Sequence, residues 1–146
     1  MMTTNYNSRF LLGSDLFEQW ENFQSDQQKK LPMPPKQKPA PEGATRIDLP
    51  APDTFQFNQV SVFEAIRNRK SRREYLAEAL TLSELAFLCW ATQGVRHLDP
   101  NTNRLLRTVP SGGARQPFET YLAVHRVEGL EVGLYRYLSL EHQLCL

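Results

Sequence analysis

The chain has 146 residues, 17 Lys and Arg against 16 Asp and Glu, and a formal net charge of +1. That length holds one domain or part of one, and near-neutrality argues against general nucleic-acid affinity. No apolar run approaches the roughly 20 residues that span a bilayer, and no basic stretch leads into a signal-peptide core. Cys89 and Cys145 match no metal-ligand spacing, and they read as reduced thiols of a cytoplasmic protein.

Residues 1–30 are polar with one amphipathic piece. Ser14 and Asp15 can cap a helix that carries Leu16, Phe17, Trp20 and Phe23 on one face. Such a stripe docks on its own domain or binds a partner. Residues 31–54 contain Pro32, Pro34, Pro35, Pro39, Pro41, Pro50 and Pro52, and proline lacks the amide donor. This stretch reads as an extended arm, laid along a surface or reaching a partner subunit. The arm and the helix before it form residues 1–55, and the main domain occupies 56–146.

Ser61 and Glu64 make a capping box that opens a helix. Val62, Phe63 and Ile66 are expected to face a core. Arg67, Arg69, Lys70, Arg72 and Arg73 gather at its C-terminal end, where the helix dipole favours cations. Thr81 and Glu84 repeat the box for a second helix. Leu82, Leu85, Ala86, Leu88, Cys89 and Trp90 cover much of its circumference and predict extensive burial, with Gly94 as the residue after its end. Residues 95–117 read as a loop. Thr120 to Val127 reads as a strand, with Leu122 and Val124 on one face and Tyr121 and Ala123 on the other. After a turn at 128–133, Leu134 to Leu138 is a second, antiparallel strand, and a short third begins at Gln143. Helices followed by a hairpin point to an α+β fold.

Two segments carry candidate chemistry. Arg69, Ser71 and Arg73 sit at i, i+2 and i+4 where the helix gives way to extended chain, so their side chains share a direction. Two guanidinium forks and a hydroxyl suit a phosphate; the other reading is a solvated cationic helix end. In Pro110-Ser111-Gly112-Gly113, glycines allow backbone amides to approach a ligand and adopt positive φ; the other reading is a tight turn into the next strand. The loop lacks P-loop and dinucleotide-fold spacing. His97, His125 and His142 stand singly and read as structural or surface residues, with no metal site.

The order of these motifs resembles the nitroreductase superfamily, and within it the SagB-type dehydrogenases. The carriers are Ala65 through Tyr75, Leu80 through Leu85 with Leu88 through Gly94, Arg107 through Arg115, and Gly133 through Tyr137. The proline arm is also similar to that group's leader, so the resemblance runs from about Phe10 to the end. It implies a nitroreductase-like, FMN-dependent fold built as a homodimer with flavin at the interface. Arg69 and Ser71 would hold the FMN phosphate, and Arg73 would reach the pyrimidine edge of the ring. Pro110, Ser111, Gly112, Gly113 and nearby Gln116 would line the ring from the other subunit. Ala114 stands where typical nitroreductases place asparagine, a departure that fits the SagB-type group.

The implied function is an FMN-dependent oxidoreductase. The group's better-understood members oxidise azoline rings in ribosomal peptides, and others are known only as dehydrogenases, so a peptide substrate is one class the resemblance offers. The family's C-terminal half would supply more strands, further flavin contacts and a Lys-Tyr pair. The sequence reading therefore expects a fold truncated after the first β-hairpin, either part of a longer reading frame or one half of a split enzyme. Two alternatives stand beside it. One is an inactive interaction module of a peptide-modifying complex. The other is a basic module that binds phosphate or RNA, disfavoured because no aromatic platform interleaves the cations.

Overall fold

The computed structural model describes residues 24–102 and 104–146. The expected helix of Leu16, Phe17, Trp20 and Phe23 lies outside them. The chain divides into two compact units, residues 1–35 and 36–146. In the first, Ser25 and Gln28 cap a turn reciprocally: Ser25 N donates to Gln28 Oε1 at 2.8 Å, and Gln28 N donates to Ser25 Oγ at 3.3 Å.

The second unit holds β1 (Arg46–Asp48), α1 (Val62–Asn68), α2 (Leu82–Gln93), β2 (Val95–Leu98), β3 (Leu105–Arg107), β4 (Tyr121–Val124), β5 (Gly133–Leu138) and β6 (Gln143–Cys145). This mixture fits the expected α+β class. A four-stranded sheet has the order β1-β6-β5-β4, and β2 pairs with β3 separately. The four pairings between these strands are antiparallel. The register sets Leu122 opposite Tyr135, Tyr137 opposite Leu144, and Leu144 opposite Ile47. Strand alternation puts these residues on one face, where Leu85, Ala86 and Cys89 of α2 join Val124, Tyr135, Tyr137 and Leu144 in the core. Burying a large apolar side chain here stabilises by about 1.5–3 kcal/mol.

From Lys36 onward the arm runs within this unit. Arg136, buried on β5, donates to Pro39 O at 2.8 Å. Gln37 Nε2 donates to Glu141 at 2.7 Å, and its Oε1 accepts from Leu140 N at 3.0 Å. Arm residues Arg46–Asp48 then add the edge strand β1. An edge suits a proline-rich segment, which lacks donors for a central ladder.

Both capping boxes form. Ser61 Oγ accepts from Glu64 N at 3.2 Å, and Thr81 Oγ1 from Glu84 N at 3.2 Å. Each glutamate returns a bond from the cap backbone. The expected burial of α1 does not. Val62, Phe63 and Ile66 are 76%, 70% and 72% exposed. The core-facing side of the sheet is occupied by α2, and α1 is a seven-residue helix between coil segments. Arg67 lies over the Phe63 ring, with its guanidinium 5.7 Å from the ring centre.

The second helix is buried along a stripe rather than around its circumference. Leu85, Ala86 and Cys89 are buried, but Phe87 and Leu88 are exposed. Phe87 sits edge-on to Phe55 and Phe57, at 5.9 and 5.0 Å between centroids. Gly94 ends α2 as its cap with φ −58°, not as a left-handed residue beyond it. Glycine is needed there for space: an added Cβ would lie 2.7 Å from Trp90 Cγ and 2.5 Å from the Trp90 carbonyl oxygen.

The stretch read as loop over 95–117 contains the β2–β3 hairpin. Its turn is built by Asp99, which accepts from Asn101 N at 2.8 Å and Thr102 Oγ1 at 2.6 Å. These hydrogen bonds hold the Asp99 carboxyl below its usual value, the Thr102 side chain first among them. Asp-Pro-Asn-Thr is an Asx-turn sequence, and that signal could have located the hairpin.

Candidate functional site

The cationic segment begins where α1 stops. Arg69 caps the helix with extended backbone, φ −62° and ψ 124°, and its N–H reaches Ile66 O at 3.3 Å. From there to Ala79 the chain has no regular structure, and Arg69, Ser71 and Arg73 are exposed. Among the described residues, no hydrogen bond or ion pair engages their side chains. The far end of the segment is pinned to the sheet. Arg126 donates to Ala77 O at 3.2 Å, and Leu80 exchanges backbone hydrogen bonds with Arg126 and Glu128 at 3.1 and 2.8 Å. Between these fixed points Tyr75 and Leu76 overhang an open groove lined by Leu80, Leu85, Leu122 and Val124.

The glycine-bearing loop is anchored at its base to the end of α2. Thr108 N donates to Gly94 O at 2.9 Å, and its hydroxyl donates to Trp90 O at 2.8 Å. Beside it, buried Arg107 donates to Gln93 O at 3.2 Å, Gln93 Oε1 at 3.1 Å and Lys36 O at 3.2 Å. A cation at a helix C-terminus complements its dipole and satisfies orphan carbonyls. Burial lowers the Arg107 pKa, opposed by nearby Glu119 and by Tyr137. Its Nε is buried without a partner. Arg107 and Thr108 thus fix the loop's origin, a role the sequence reading did not assign to them. A charged residue gives no pattern by which burial can be foreseen.

Past Val109 the backbone turns repeatedly left-handed. Gly113 has φ +61°, Ala114 +55° and Gln116 +48°, with Arg115 right-handed between them. Non-glycine residues in this region are strained, and strain gathers where function demands a shape. Pro110, Gly112 and Gly113 are exposed, while Ser111 and Gln116 are half-buried. Gln116 bonds within the loop, through N to Ser111 Oγ at 2.9 Å and Nε2 to Val109 O at 3.2 Å. No hydrogen bond joins this loop to Arg69, Ser71 or Arg73 among the described residues.

The histidines divide. His97 and His125 are exposed, whereas His142 is half-buried and hydrogen-bonded to Tyr137 and Pro50. No group of three or more metal-ligating side chains occurs among the described residues. None of the helices searched there is long and apolar enough to cross a membrane.

The second unit is an α+β fold that presents an exposed cationic segment and a strained glycine loop. The nitroreductase family pattern matches residues 66–145, from the end of α1 through β6. "Putative nitroreductase MJ1384" of Methanocaldococcus jannaschii is 34% identical over 98 residues, 67% of this chain and 46% of that protein. The chain spans about half the length of this relative. It belongs to the nitroreductase family.

Proposed function

We propose that the chain is the FMN-binding part of a flavin-dependent oxidoreductase of the SagB type, acting as a homodimer in the cytoplasm. Members of the nitroreductase family generally use flavins. The observation that carries the reading is the left-handed run at Gly113, Ala114 and Gln116 in an exposed loop whose base is tied to α2. A run of this kind is costly unless its shape is used, and it bares backbone for close approach by a flat ring.

The residues present fit FMN. Arg69 and Ser71 have exposed side-chain donors for phosphate oxygens, which arginine can engage in pairs. Arg73, two residues further on, places a cation for the pyrimidine edge, where negative charge is stabilised on reduction. Pro110, Ser111, Gly112 and Gly113 line the ring, and in the homodimer they come from the second subunit. When bound, FMN supplies acceptance and donation of a hydride. The chain's own residues bind, orient and bias its charge. Azoline rings of a ribosomal peptide are the proposed substrate class, following the SagB-type resemblance.

Titrating the purified chain with FMN and following flavin fluorescence tests this. Saturable quenching that is lost in Arg69→Ala supports the assignment. Absence of binding at flavin concentrations of about 100 μM, an affinity weaker than about 5.5 kcal/mol, overturns it for this chain.

The exposed apolar side of α1 favours a second reading, an inactive interaction module of a peptide-modifying complex. Its mark is partner binding that survives loss of Arg69 and Arg73 but fails in Phe63→Ser.

A further inference from the structure

The sequence placed Gln116 among the residues that touch the cofactor, yet its backbone and side-chain N–H donors are directed at its own loop. Its backbone N–H goes to Ser111 Oγ at 2.9 Å, and its side-chain amide donates to Val109 O at 3.2 Å. One residue therefore grips the chain on both sides of Pro110. It does so from φ +48°, immediately before Pro117. Proline pushes the preceding residue toward extended backbone, so this conformation is doubly disfavoured and needs such bonds to persist.

The consequence falls on Ser111. A serine hydroxyl has one proton to donate and two lone pairs to accept with. The Gln116 N–H occupies a lone pair, which fixes the oxygen and leaves the proton uncommitted. No described residue accepts that proton. Ser111 itself is extended, with φ −151° and ψ 143°, and half-buried.

We propose that Gln116 is a positioning residue: it holds Ser111 so that the serine hydroxyl donates to an acceptor atom of the bound cofactor, a carbonyl oxygen or an unprotonated ring nitrogen. The inference rests on the FMN reading above. Gln116 acts through Ser111 and makes no cofactor contact of its own.

The test uses the full chain with Gln116→Glu, Gln116→Gly, Ser111→Ala and the double variant Ser111→Ala/Gln116→Glu. Glutamate keeps the side-chain length but cannot donate to Val109 O when ionised. Glycine removes the side chain while relieving the positive φ, so the loop is probed without added strain. Amide exchange of residue 116, measured by NMR without FMN, is expected to accelerate at least tenfold in Ser111→Ala. FMN affinity is expected to fall about tenfold in Gln116→Glu and in Ser111→Ala. The double variant should be no weaker than Ser111→Ala alone, and the visible band of bound flavin should shift alike in all three. Additive losses, or a further band shift when Gln116→Glu is added to Ser111→Ala, would make Gln116 a direct ligand and overturn the inference. Unchanged exchange in Ser111→Ala overturns it as well. Wild-type chain that binds no FMN but shows the exchange coupling overturns the FMN reading and the cofactor contact, leaving only the loop clamp.

Discussion

The phenol of Tyr137 and Nδ1 of His142 lie 2.7 Å apart, and Nε2 of the same ring is 2.9 Å from the Pro50 carbonyl oxygen. A carbonyl only accepts, so Nε2 carries the proton and Nδ1 accepts from the tyrosine. The relay ties the core strand β5, through the turn before β6, to the chain following β1. It is reinforced by Leu49 N donating to His142 O at 3.2 Å. Tyr137→Phe would leave a half-buried ring nitrogen without its donor and should cost about 1–3 kcal/mol. Urea unfolding of the two proteins gives the difference. Nitrogen chemical shifts of His142 should report the Nε2–H tautomer in the wild type, and the opposite tautomer would contradict the relay.

Cys89 is buried against the sheet, and burial pushes its thiol up to about 11. The same burial raises Tyr137, with Cys89 nearby adding to it. Both groups are neutral when protonated, and both keep their protons longer folded than unfolded. An unfolded thiol ionises near pH 8.5 and a phenol near 10, so above these values the unfolded state holds fewer protons and stability falls as pH rises. Stability should be flat from neutrality to about pH 8.5 and decline toward pH 11. At pH 8 a thiol reagent should label Cys89 only after denaturant is added. Labelling of the native chain at the unfolded rate would refute the buried, protonated thiol.

What could be read in advance was local and periodic. The boxes Ser61–Glu64 and Thr81–Glu84 and the alternation of Tyr121, Leu122, Ala123 and Val124 need only neighbouring residues, and they stand as expected. Failures came where a distant partner decides. Val62, Phe63 and Ile66 have the spacing of a buried face, but spacing does not say that α2 will occupy the sheet. Strands β2 and β3 hide because Arg96 and His97 break alternation, and because Arg107 is turned inward to cap α2. At the candidate site the glycines announced an unusual loop. The inward direction of the Gln116 amide depends on the fold of that loop and had no sequence mark.

Arg73 separates the FMN reading from simple phosphate attraction. Arg73→Ala should weaken FMN retention and lower the flavin reduction potential, since a cation favours the anionic reduced ring. Arg69→Ala should weaken FMN with less effect on potential, because its assigned contact is the phosphate. Titration with a dye of known potential measures the two. Equal potentials in wild type and Arg73→Ala would misplace Arg73.

The two capping boxes are alike in geometry and unlike in what they support. Replacing a helix-capping hydroxyl by alanine costs about 1 kcal/mol when the helix is part of the cooperative core. Thr81→Ala should show that loss, since α2 carries Leu85, Ala86 and Cys89. Ser61→Ala should fray α1 while leaving the global midpoint nearly unchanged, because α1 buries no residue. Circular dichroism with urea unfolding distinguishes local from global loss. Glu84 adds a pH term. Bonds from the Thr81 backbone and then its hydroxyl hold the Glu84 carboxyl below its usual value. That contribution is present above about pH 4.5 and fades as pH falls through the lower folded value.

Gly94 joins α2 to the β2–β3 hairpin at a point where two donors converge on the Trp90 carbonyl. The Trp90 carbonyl accepts from Gly94 N at 2.7 Å and from the Thr108 hydroxyl at 2.8 Å. The φ of −58° is ordinary, so alanine is excluded by crowding rather than by backbone conformation. A new methyl would meet the indole and that carbonyl, both part of the helix end it follows. Gly94→Ala should therefore destabilise by about 1–3 kcal/mol, the range for overpacking a filled site. Because Thr108 hangs from the same carbonyl, the disturbance should reach the loop. Amide exchange at residues 108–116 should accelerate along with the lowered midpoint. Gly43→Ala is the control: its glycine has positive φ but nothing within 4 Å, so it should cost backbone strain and leave exchange at 108–116 unchanged. A normal midpoint in Gly94→Ala would mean that α2 ends differently and that the loop is not hung from Trp90.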